Sequence, residues 1–343
     1  VLEKPALVVG ANGFVGSHVT RQLVAAQRKV RVLVRETSNT TAIDDLNVER
    51  HYGDVMDTES LKAAMQDCGS VFYCAVDTRA WLTDSAPLFR CNVDGLINAM
   101  DAALAQSIGR FVFTSSMATI GIDKQIPVSE KDAFNWWDKA PPYIRSRVLA
   151  ENKLLEYCHD KGLPAVAMCV ANTYGPMDTQ PTPHGGSLWQ AATGKQGIAL
   201  DCAAPTVDIR DAARALLLAE QYGRTGERYI IANEFVSQAD MYALGANALG
   251  RKPPITLNMN VARGIAVVSE VVNTLLRRKD YKLCRASVLL SAVFGPMDNT
   301  KAQQELGWQP RPFAETVTDA IAWFVADRRT RKGSSTHTND PLR

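Results

Sequence analysis

The stretch ALVVGANGFVG, residues 6–16, decides how the rest of this sequence is interpreted. A short apolar run ends in a glycine, two further glycines follow at three-residue spacing, and residues 14–27 then have helical periodicity. Such a turn between a buried strand and a helix leaves room for a pyrophosphate at the helix N-terminus, although a purely structural turn is the alternative. The residues expected to form this phosphate site are Gly10, Asn12, Gly13, Phe14, Val15 and Gly16.

Apolar runs and helical segments alternate along the first half of the chain. Strands joined by crossover helices form a parallel sheet that helices cover on both faces. The fold class is therefore α/β, a doubly wound parallel sheet of the Rossmann type. The predicted strands lie at 6–10, 29–35, 48–55, 70–75, 110–116 and 164–170, and the predicted helices at 14–27, 60–68, 92–106 and 143–160.

A smaller part of the chain begins where this alternation stops. Residues 1–172 are assigned to the dinucleotide-binding Rossmann domain, and residues 205–234 are expected to return to it as strand, helix and strand. Residues 173–204 and 235–326 are mostly loop and helix, and are assigned to a substrate-binding part above the carboxyl ends of the strands. Residues 327–343 are predicted to form a mobile tail.

Composition and charge exclude several classes of protein. Of the 343 residues, 46% are hydrophobic and 22% charged, and the net charge of +2 provides no field that would attract nucleic acid. The seven cysteines are scattered and the five histidines lack metal-binding spacing, so we predict reduced thiols and no metal site. The apolar run at the start is broken by glycine and too short for a signal peptide, which favours a cytoplasmic protein.

One late helix, predicted at residues 261–279, is apolar on one side and basic at its end. Arg263 and Glu270 interrupt the apolar residues, so this helix is not expected to span a membrane. Three roles stay open for it: covering an apolar substrate, touching a membrane surface, or contacting a partner subunit. The sequence is compatible with a monomer or a homodimer.

The end of the second predicted strand indicates which nucleotide binds. An NAD site usually has an acidic residue about 20 residues after the glycines, where it binds the ribose 2′-hydroxyl. Arg35 stands there instead, and a guanidinium pairs with a 2′-phosphate that a carboxylate would repel. We therefore predict NADP(H) rather than NAD, with hydroxyl donors from Thr37 and Ser38 and an adenine contact from Asp54. The alternatives are that Arg35 is an ordinary surface arginine and Asp54 a loop carboxylate.

Two later segments carry groups suited to hydride transfer. Ser116 ends the fifth predicted strand, and Tyr143 and Arg147 lie four residues apart on one face of a helix. A carbonyl that accepts a hydride needs a proton at its oxygen, and a tyrosine delivers it when a nearby cation lowers the phenol pKa from about 10. A serine hydroxyl supports the reaction by hydrogen-bonding the same oxygen. We therefore expect Tyr143, Arg147 and a hydroxyl at the end of the fifth strand to be catalytic.

The whole chain resembles an extended short-chain dehydrogenase/reductase. The matching segments occur in the family's order over residues 5–325: VVGANGFVGSHV, YGDVMD, CNVDGLINAMDAA, FVFTSSMATIG, YIRSRVLAENKLLE, TYGPMD, VDIRDAARALLLA and GERYIIAN. Within the family the chain is most similar to the dihydroflavonol-4-reductase-like branch, and it also resembles the bacterial hopanoid-associated epimerase/reductase group.

The resemblance implies roles for individual residues. The family's serine falls on Ser116, with Ser115 and Thr114 left open, and its tyrosine falls on Tyr143. The family's lysine falls on Arg147, which keeps a charge and donors but, with a pKa above about 12, cannot easily lend a proton. Cofactor binding is therefore expected to survive while turnover is slow. The remaining cofactor contacts are expected at Val55, Ala75, Tyr143, Arg147 and Val170.

A second Tyr-x-x-x-Lys pattern, Tyr157 and Lys161, occurs at the far end of the same predicted helix. It is not expected to be catalytic, because a helical rise of about 1.5 Å per residue puts it about 20 Å from Tyr143. For the substrate, Trp81, Met117 and Tyr174 are predicted to line an apolar pocket. Ordinary packing is the alternative for these residues and for the other aromatic candidates, Trp136, Trp137 and Trp189.

Three functions therefore remain open. The first is NADPH-dependent reduction of an apolar ketone or aldehyde. The second is nucleotide-sugar epimerisation or dehydration with tightly bound NAD, for which Arg210 and Arg277 are the candidate diphosphate ligands. The third is non-catalytic NADP(H) binding, which the arginine at the lysine position favours.

Overall fold

The computed structural model describes residues 3–80, 82, 84–276 and 285–334. Its strands are β1 (Ala6–Val9), β2 (Val30–Val34), β3 (Glu49–Tyr52), β4 (Ser70–Tyr73), β5 (Arg110–Ser116), β6 (Ala165–Val170), β7 (Asn172–Tyr174), β8 (Ile198–Leu200), β9 (Ala203–Asp208), β10 (Arg228–Ile231), β11 (Glu234–Ser237) and β12 (Ile255–Leu257). Its helices are α1 (Phe14–Ala25), α2 (Thr58–Met65), α3 (Ala86–Phe89), α4 (Gly95–Ala105), α5 (Pro142–Lys161), α6 (Pro183–Ala192), α7 (Ile209–Tyr222), α8 (Gln238–Ala248), α9 (Met259–Leu275), α10 (Arg285–Ala292), α11 (Thr300–Leu306) and α12 (Phe313–Ser334).

Seven parallel strands form the central sheet, in the order β10-β6-β5-β4-β1-β2-β3. The chain builds from β1 through β2 to β3 at one edge, and then adds β4, β5, β6 and β10 on the other side. The order reverses between β1 and β4, and ligands of such sheets bind at this reversal, beyond the carboxyl ends of the strands. The predicted doubly wound parallel sheet is confirmed.

Helices cover both faces of the sheet because its central strands are apolar on both sides. On one face α1 and α7 pack together, with Leu23 and Leu216 fully buried. On the other face lie α2, α4 and α5, with Leu61 and Leu154 fully buried. The crevice at the strand ends is therefore fixed by a core on each side.

The remaining strands form two small sheets outside the central one. β7, β9 and β11 make a three-stranded sheet, and β8 pairs with β12. A third apolar cluster joins α6, α8 and α12 around Trp189, Phe313 and Phe324. Apart from β9, these elements lie mainly in residues 173–204 and 235–326, which the sequence assigns to the smaller part of the chain.

Two predicted segments differ in detail from the structure. The sequence places the strand that begins near residue 206 in the main domain, but β9 pairs with β7 and β11 instead. The helix that follows, α7, does return to the main domain and packs on α1, and β10 joins the edge of the central sheet beside β6, as predicted. Of the tail predicted at residues 327–343, residues 327–334 belong to α12, and the rest lies outside the described residues.

Candidate active site

The glycine turn brings three elements into close contact. Gly10 has a φ of +81°, and a Cβ added there would lie 2.7 Å from the backbone nitrogen of Ala75, just after β4. A Cβ at Gly16 would lie 2.2 Å from the carbonyl oxygen of Gly10. Gly13 is the N-cap residue of α1 and has no side chain to accept hydrogen bonds from the helix. The N–H groups of the first turn are therefore available to bind an anion. This geometry fits a dinucleotide pyrophosphate.

The loop at residues 175–182 lies directly over this turn. A cavity of about 210 Å³ separates the two and is lined by Asn12, Gly13 and Phe14 on one side and by residues 177–180 and 182 on the other. The Gln180 side-chain amide donates to the carbonyl oxygens of Asn12 at 3.4 Å and Asn39 at 3.2 Å. The sequence assigned this loop to substrate binding, yet these contacts place it beside the nucleotide turn.

Two buried titratable groups hold the same loop. His18 lies with its Nε2 3.1 Å from the carbonyl oxygen of Pro176, and burial lowers the pKa of its ring to about 4. Asp178 accepts hydrogen bonds from the backbone N–H and the hydroxyl of Thr182, and burial raises its pKa to about 6. Neither group could be identified from the sequence, because their burial depends on how the loop folds back.

The residues expected to determine whether NADP(H) or NAD binds lie at the carboxyl end of β2 and after β3. Arg35 is exposed, and within the described residues it makes no ion pair. Its carbonyl accepts a hydrogen bond from the N–H of Ser38 at 2.9 Å, which forms a turn with Thr37 exposed. Asp54 is half-buried and its carboxylate accepts a hydrogen bond from the N–H of Met56 at 2.9 Å. Arg35 is thus an unneutralised cation at the predicted place.

Two other predicted cofactor contacts also lie at strand ends. Val170 is the last residue of β6 and is 7% exposed, and Val55 follows β3. A Cβ on Gly95 would lie 2.7 Å from the Val55 side chain, so Val55 packs tightly against the start of α4. Both are therefore fixed at the edge of the crevice.

The three hydroxyls at the end of β5 have different surroundings. Ser115 points to the buried side, where its hydroxyl donates to the carboxylate of Glu151. The Thr114 hydroxyl lies 3.2 Å from the sulfur of Cys74. Ser116 is half-buried, on the side of the strand opposite to Ser115, and its Oγ accepts a hydrogen bond from the N–H of Ala118 at 3.2 Å. Of the three hydroxyls, that of Ser115 is engaged with Glu151 inside the protein, while Thr114 and Ser116 lie on the opposite, half-buried side of the strand.

Tyr143 and Arg147 both lie in the first two turns of α5. Arg147 is only 2% exposed, and its Nη2 donates to the carbonyl oxygen of Thr114 at 2.5 Å. Its guanidinium lies 5.0 Å from the centre of the Phe113 ring, and its Nη1 is buried without a hydrogen-bond partner. A buried donor left unpaired is costly, so Nη1 is suited to a group that the protein itself does not supply.

The phenol of Tyr143 is less acidic than the sequence predicts. Burial raises its pKa above the ordinary value, the nearby charge of Arg147 opposes that rise, and Asp77 adds to it. The expectation that a guanidinium one turn away would bring this pKa towards neutrality is therefore not met in the protein alone. The reason is that desolvation of the phenolate outweighs the attraction of a single cation.

Asn92 is a residue of this region that the sequence analysis quoted but did not assign to the site. It lies in a π-helical segment, Arg90–Asp94, and is 1% exposed. Its amide exchanges two hydrogen bonds with the backbone of Asp77, at 2.8 and 3.0 Å, and donates to the hydroxyl of Ser146 at 3.0 Å. Ser146 in turn donates to the carbonyl oxygen of Tyr143 at 2.7 Å. The sequence does not single out Asn92, because the same predicted helix also contains Asp94, Asn98 and Asp101.

Tyr73 is a second group that the sequence did not suggest. It lies on β4, its hydroxyl is buried without a hydrogen-bond partner, and burial raises its pKa. Its ring centre lies 6.2 Å from that of Phe113, and the Arg147 guanidinium lies 5.0 Å from the same Phe113 ring, so two buried polar groups without partners lie around one aromatic side chain.

The second Tyr-x-x-x-Lys pattern has a structural role. The Tyr157 hydroxyl donates to Asp101 at 3.0 Å, and the Lys161 ammonium lies 3.8 Å from the centre of the Tyr157 ring and 3.4 Å from the Asp101 carboxylate. These contacts lie at the C-terminal end of α5, about 20 Å along the helix from Tyr143.

The predicted substrate residues are not brought together into one pocket. Met117 is 4% exposed in the main core, whereas Tyr174 and Trp189 are 5% and 4% exposed in the cluster around α6, α8 and α12. Trp136 is also in the main core, and Trp137 is exposed with the Arg145 guanidinium 5.5 Å from its ring. Trp81 lies outside the described residues.

The arginines considered for a sugar diphosphate give no support to such a site. Arg210 forms ion pairs with Asp208 at 2.7 Å and with Asp319 at 2.7 Å, so its charge is already neutralised. Arg277 lies outside the described residues.

Comparison with known proteins agrees with the fold and with the resemblance. Residues 6–232 match the model of the "NAD dependent epimerase/dehydratase family". "Sterol demethylase protein B" of Methylococcus capsulatus is 28% identical over 93% of this chain and 97% of its own length. A dihydroflavonol 4-reductase of Hordeum vulgare is 28% identical over 50% of this chain and 54% of its own length. A "4-hydroxy-2-methyl-3-oxo-4-farnesyl-3,4-dihydroquinoline-1-oxide ketoreductase" of Stigmatella aurantiaca is 26% identical over 92% and 94%.

Solved structures share the architecture. The crystal structure of gox2253 aligns with a TM-score of 0.84 and 32% identity, over 94% of this chain and 98% of that one. The Thermus thermophilus UDP-glucose 4-epimerase in complex with NAD aligns with a TM-score of 0.75 and 20% identity, over 94% and 99%, which is a likeness of fold.

Proposed function

Because this chain belongs to the NAD dependent epimerase/dehydratase family, an oxidoreductase-type family within the extended short-chain dehydrogenases/reductases, we propose that it is an NADPH-dependent reductase of an apolar ketone or aldehyde. The observation that carries this proposal is the Tyr143–Arg147 pair beside the end of β5, the strand next to β4, at the edge of the sheet where the redox end of a nicotinamide would lie.

The residues that would hold the dinucleotide are distributed along the crevice. The glycine turn and the N-terminus of α1 would bind the pyrophosphate, and the unpaired Nη1 of Arg147 would donate to a ribose hydroxyl. When bound, the nicotinamide supplies the hydride. Arg35 would bind a 2′-phosphate, because it is an exposed cation where an NAD site has an acid.

Tyr143 would act as the proton donor. A reductase needs its acid protonated at neutral pH, and burial, which raises the phenol pKa, keeps Tyr143 in that form. Ser116 would hydrogen-bond the same carbonyl oxygen and hold it in place. Arg147 would limit the rise of the phenol pKa, but since it cannot lend a proton, Tyr143 would be reprotonated by solvent.

An apolar substrate is favoured over a nucleotide sugar. A diphosphate needs cationic ligands, and Arg210, the described candidate, is already bound to Asp208 and Asp319. The family also contains ketoreductases of apolar compounds, such as the Stigmatella relative named for a farnesylated quinoline oxide.

The test measures NADPH and NADH oxidation on a panel of apolar ketones and aldehydes, for the wild type and for Arg35→Ser. We expect NADPH to be preferred, and Arg35→Ser to lower kcat/KM for NADPH about tenfold or more while leaving NADH unchanged, because a charge-assisted contact to the 2′-phosphate is lost. Arg251→Ser, which removes an exposed arginine outside the crevice, is the matched control and should change neither value.

Two results would overturn the proposal. Purified protein that carries NAD without exchanging it would indicate an epimerase or dehydratase. NADPH binding without turnover on any carbonyl, in both the wild type and Arg147→Lys, would indicate a binding protein. If Arg147→Lys is instead much faster than the wild type, the reductase assignment stands and the arginine is the cause of slow turnover.

A further inference from the structure

Helix α9 has its polar and apolar residues in an unusual arrangement. The side that faces the protein carries small residues, with Ala262 4% and Ala266 0% exposed, and the half-buried polar residues Ser269, Glu270 and Asn273. The side that faces outwards is aliphatic. Its exposed residues are Val261, Ile265, Val267, Val268, Val271, Val272, Leu275 and Leu276, which are 44% to 77% exposed.

The exposed aliphatic residues are concentrated in this one segment. Of the nineteen large hydrophobic side chains that are exposed in the described part of the chain, eight lie between residues 261 and 276. Positions 261, 265, 268 and 272 follow one face of the helix, and 267, 271 and 275 form the adjacent row. Single exposed hydrophobic residues are ordinary, whereas a continuous patch marks a surface that binds something.

The helix is held in this orientation by contacts on its inner side. The Glu270 carboxylate accepts hydrogen bonds from the backbone N–H of Arg285 at 2.7 Å and from its guanidinium at 2.5 Å. Ala262 and Ala266 form a small apolar cluster with Val288 of α10. Rolling the helix to bury its aliphatic face would break these contacts, so no residue that the structure describes covers this face.

The charge of the segment indicates the kind of partner. Residues 259–285 contain six lysines and arginines and two acidic residues, a net charge of +4, whereas the whole chain carries +2. The remainder of the chain is therefore net negative, at −2. Basic residues cluster directly after the aliphatic face, in the order Arg277, Arg278 and Lys279.

We propose that α9 is a docking helix that lies in the surface of a membrane containing anionic phospholipids. The aliphatic face would insert at the boundary between headgroups and acyl chains, and the net positive charge of the segment would attract it to the lipid phosphates. A second copy of the chain complements this surface less well, because two segments of charge +4 would repel each other.

The geometry suits a helix that lies flat rather than one that crosses the bilayer. No helix within the described ranges is long and apolar enough to cross a membrane. The 17 residues of α9 span about 25 Å, less than the ~30 Å hydrocarbon core, and Arg263 and Glu270 interrupt them.

A cavity opens at the foot of this helix. It has a volume of about 330 Å³, and its walls include Met259 and Arg263 of α9 together with Phe235 and Phe294. Docking would therefore place a partly aromatic cavity next to the lipid surface. The docking proposal does not depend on the reductase proposal, since vesicle binding is measured without substrate or cofactor.

The test is sedimentation of the full chain with vesicles of phosphatidylcholine and phosphatidylglycerol in equal parts, and with vesicles of phosphatidylcholine alone. We expect binding to the anionic vesicles, weaker binding to the neutral ones, and loss of binding as salt is raised. The double substitution Val268→Glu with Val271→Glu should weaken binding at least about tenfold, because it puts two carboxylates on the inserting face. Tyr222→Glu, at a position 57% exposed on α7, is the matched control and should bind like the wild type.

A second variant, Val268→Ser with Val271→Ser, removes the aliphatic groups without adding charge and should give intermediate binding. Circular dichroism of each variant checks that it is folded. The proposal is overturned if the wild type binds neither vesicle, or if folded glutamate and serine variants bind as strongly as the wild type. It is also overturned if light scattering shows a wild-type dimer that the glutamate variant converts to a monomer, without vesicle binding, because a second copy would then occupy the face.

Discussion

Helices α5 and α9 break the usual rule of burial in opposite directions. α5 buries charged residues, with Arg147 2% and Glu151 1% exposed, whereas α9 buries alanines and exposes aliphatic side chains such as Val268 and Leu275. Each arrangement costs free energy relative to the ordinary one. The difference lies in where the compensating partner is found.

In α5 the partners are almost all inside the chain. Glu151 pairs with Arg228 at 3.1 Å and also accepts hydrogen bonds from the hydroxyls of Ser115 and Thr119. Arg147 has the Thr114 carbonyl, and only its Nη1 lacks a partner. In α9 the described residues supply no partner for the outer face. The unpaired Nη1 of Arg147 indicates a small ligand at the crevice. The exposed aliphatic face of α9 indicates an extended apolar partner at the surface.

The largest effect is expected at the crevice end of α5. Tyr143→Phe removes the proposed proton donor, so kcat for carbonyl reduction should fall by about 10²- to 10⁴-fold, with NADPH binding retained. Steady-state kinetics and fluorescence titration of NADPH measure the two quantities. Tyr157→Phe, which alters a tyrosine bound to Asp101 on the same helix, should leave kcat unchanged. If kcat falls equally in Tyr143→Phe and Tyr157→Phe, Tyr143 is not the proton donor.

The next effect concerns stability. Arg228→Ala leaves the Glu151 carboxylate buried without its cation, and we expect the free energy of unfolding to fall by about 3–5 kcal/mol. Urea unfolding followed by circular dichroism measures it. The double substitution Glu151→Gln with Arg228→Met removes both charges and should recover most of the loss. If Arg228→Ala is as stable as the wild type, the ion pair with Arg228 does not stabilise the buried Glu151 carboxylate.

The smallest effect is expected on the outer face of α9. Val268→Glu with Val271→Glu should change the free energy of unfolding by no more than about 0.5 kcal/mol per substitution, because neither side chain packs against the protein. Ala266→Glu, at a position that is 0% exposed on the same helix, is the contrast and should destabilise the protein strongly. A large loss from the outer pair would indicate that the aliphatic face is covered within the free protein.

The fold and the outline of the crevice could be predicted from the sequence. The strand, glycine turn and helix at residues 6–27 are local signals, and the alternation that follows requires a parallel sheet with crossover helices. The positions of Arg35 and Ser116 at the carboxyl ends of strands, and of Tyr143 at the start of the next long helix, follow from the same alternation, because strand ends and the helices that leave them lie at one edge.

Other features depended on residues that are distant in sequence. The pairing of β9 with β7 rather than with the central sheet is a long-range choice that a single apolar run does not specify. Asn92 acquires its role by reaching Asp77 and Ser146, and Met117 and Tyr174 pack in separate cores rather than in one pocket. The balance of effects on the Tyr143 pKa could not be predicted either, because burial is a property of the folded crevice.

The sequence by itself determined the doubly wound sheet, the glycine turn, the cation after β2 and the tyrosine–arginine spacing, since each is set by local periodicity or by neighbours within one turn. Only the tertiary structure decided that the Ser115 hydroxyl of β5 is buried against Glu151, that burial raises the pKa of the Tyr143 phenol, and that α9 presents its aliphatic side to solvent. The physical reason is that solvent exposure, which fixes the cost of every charge and every apolar group, arises only when the elements pack together.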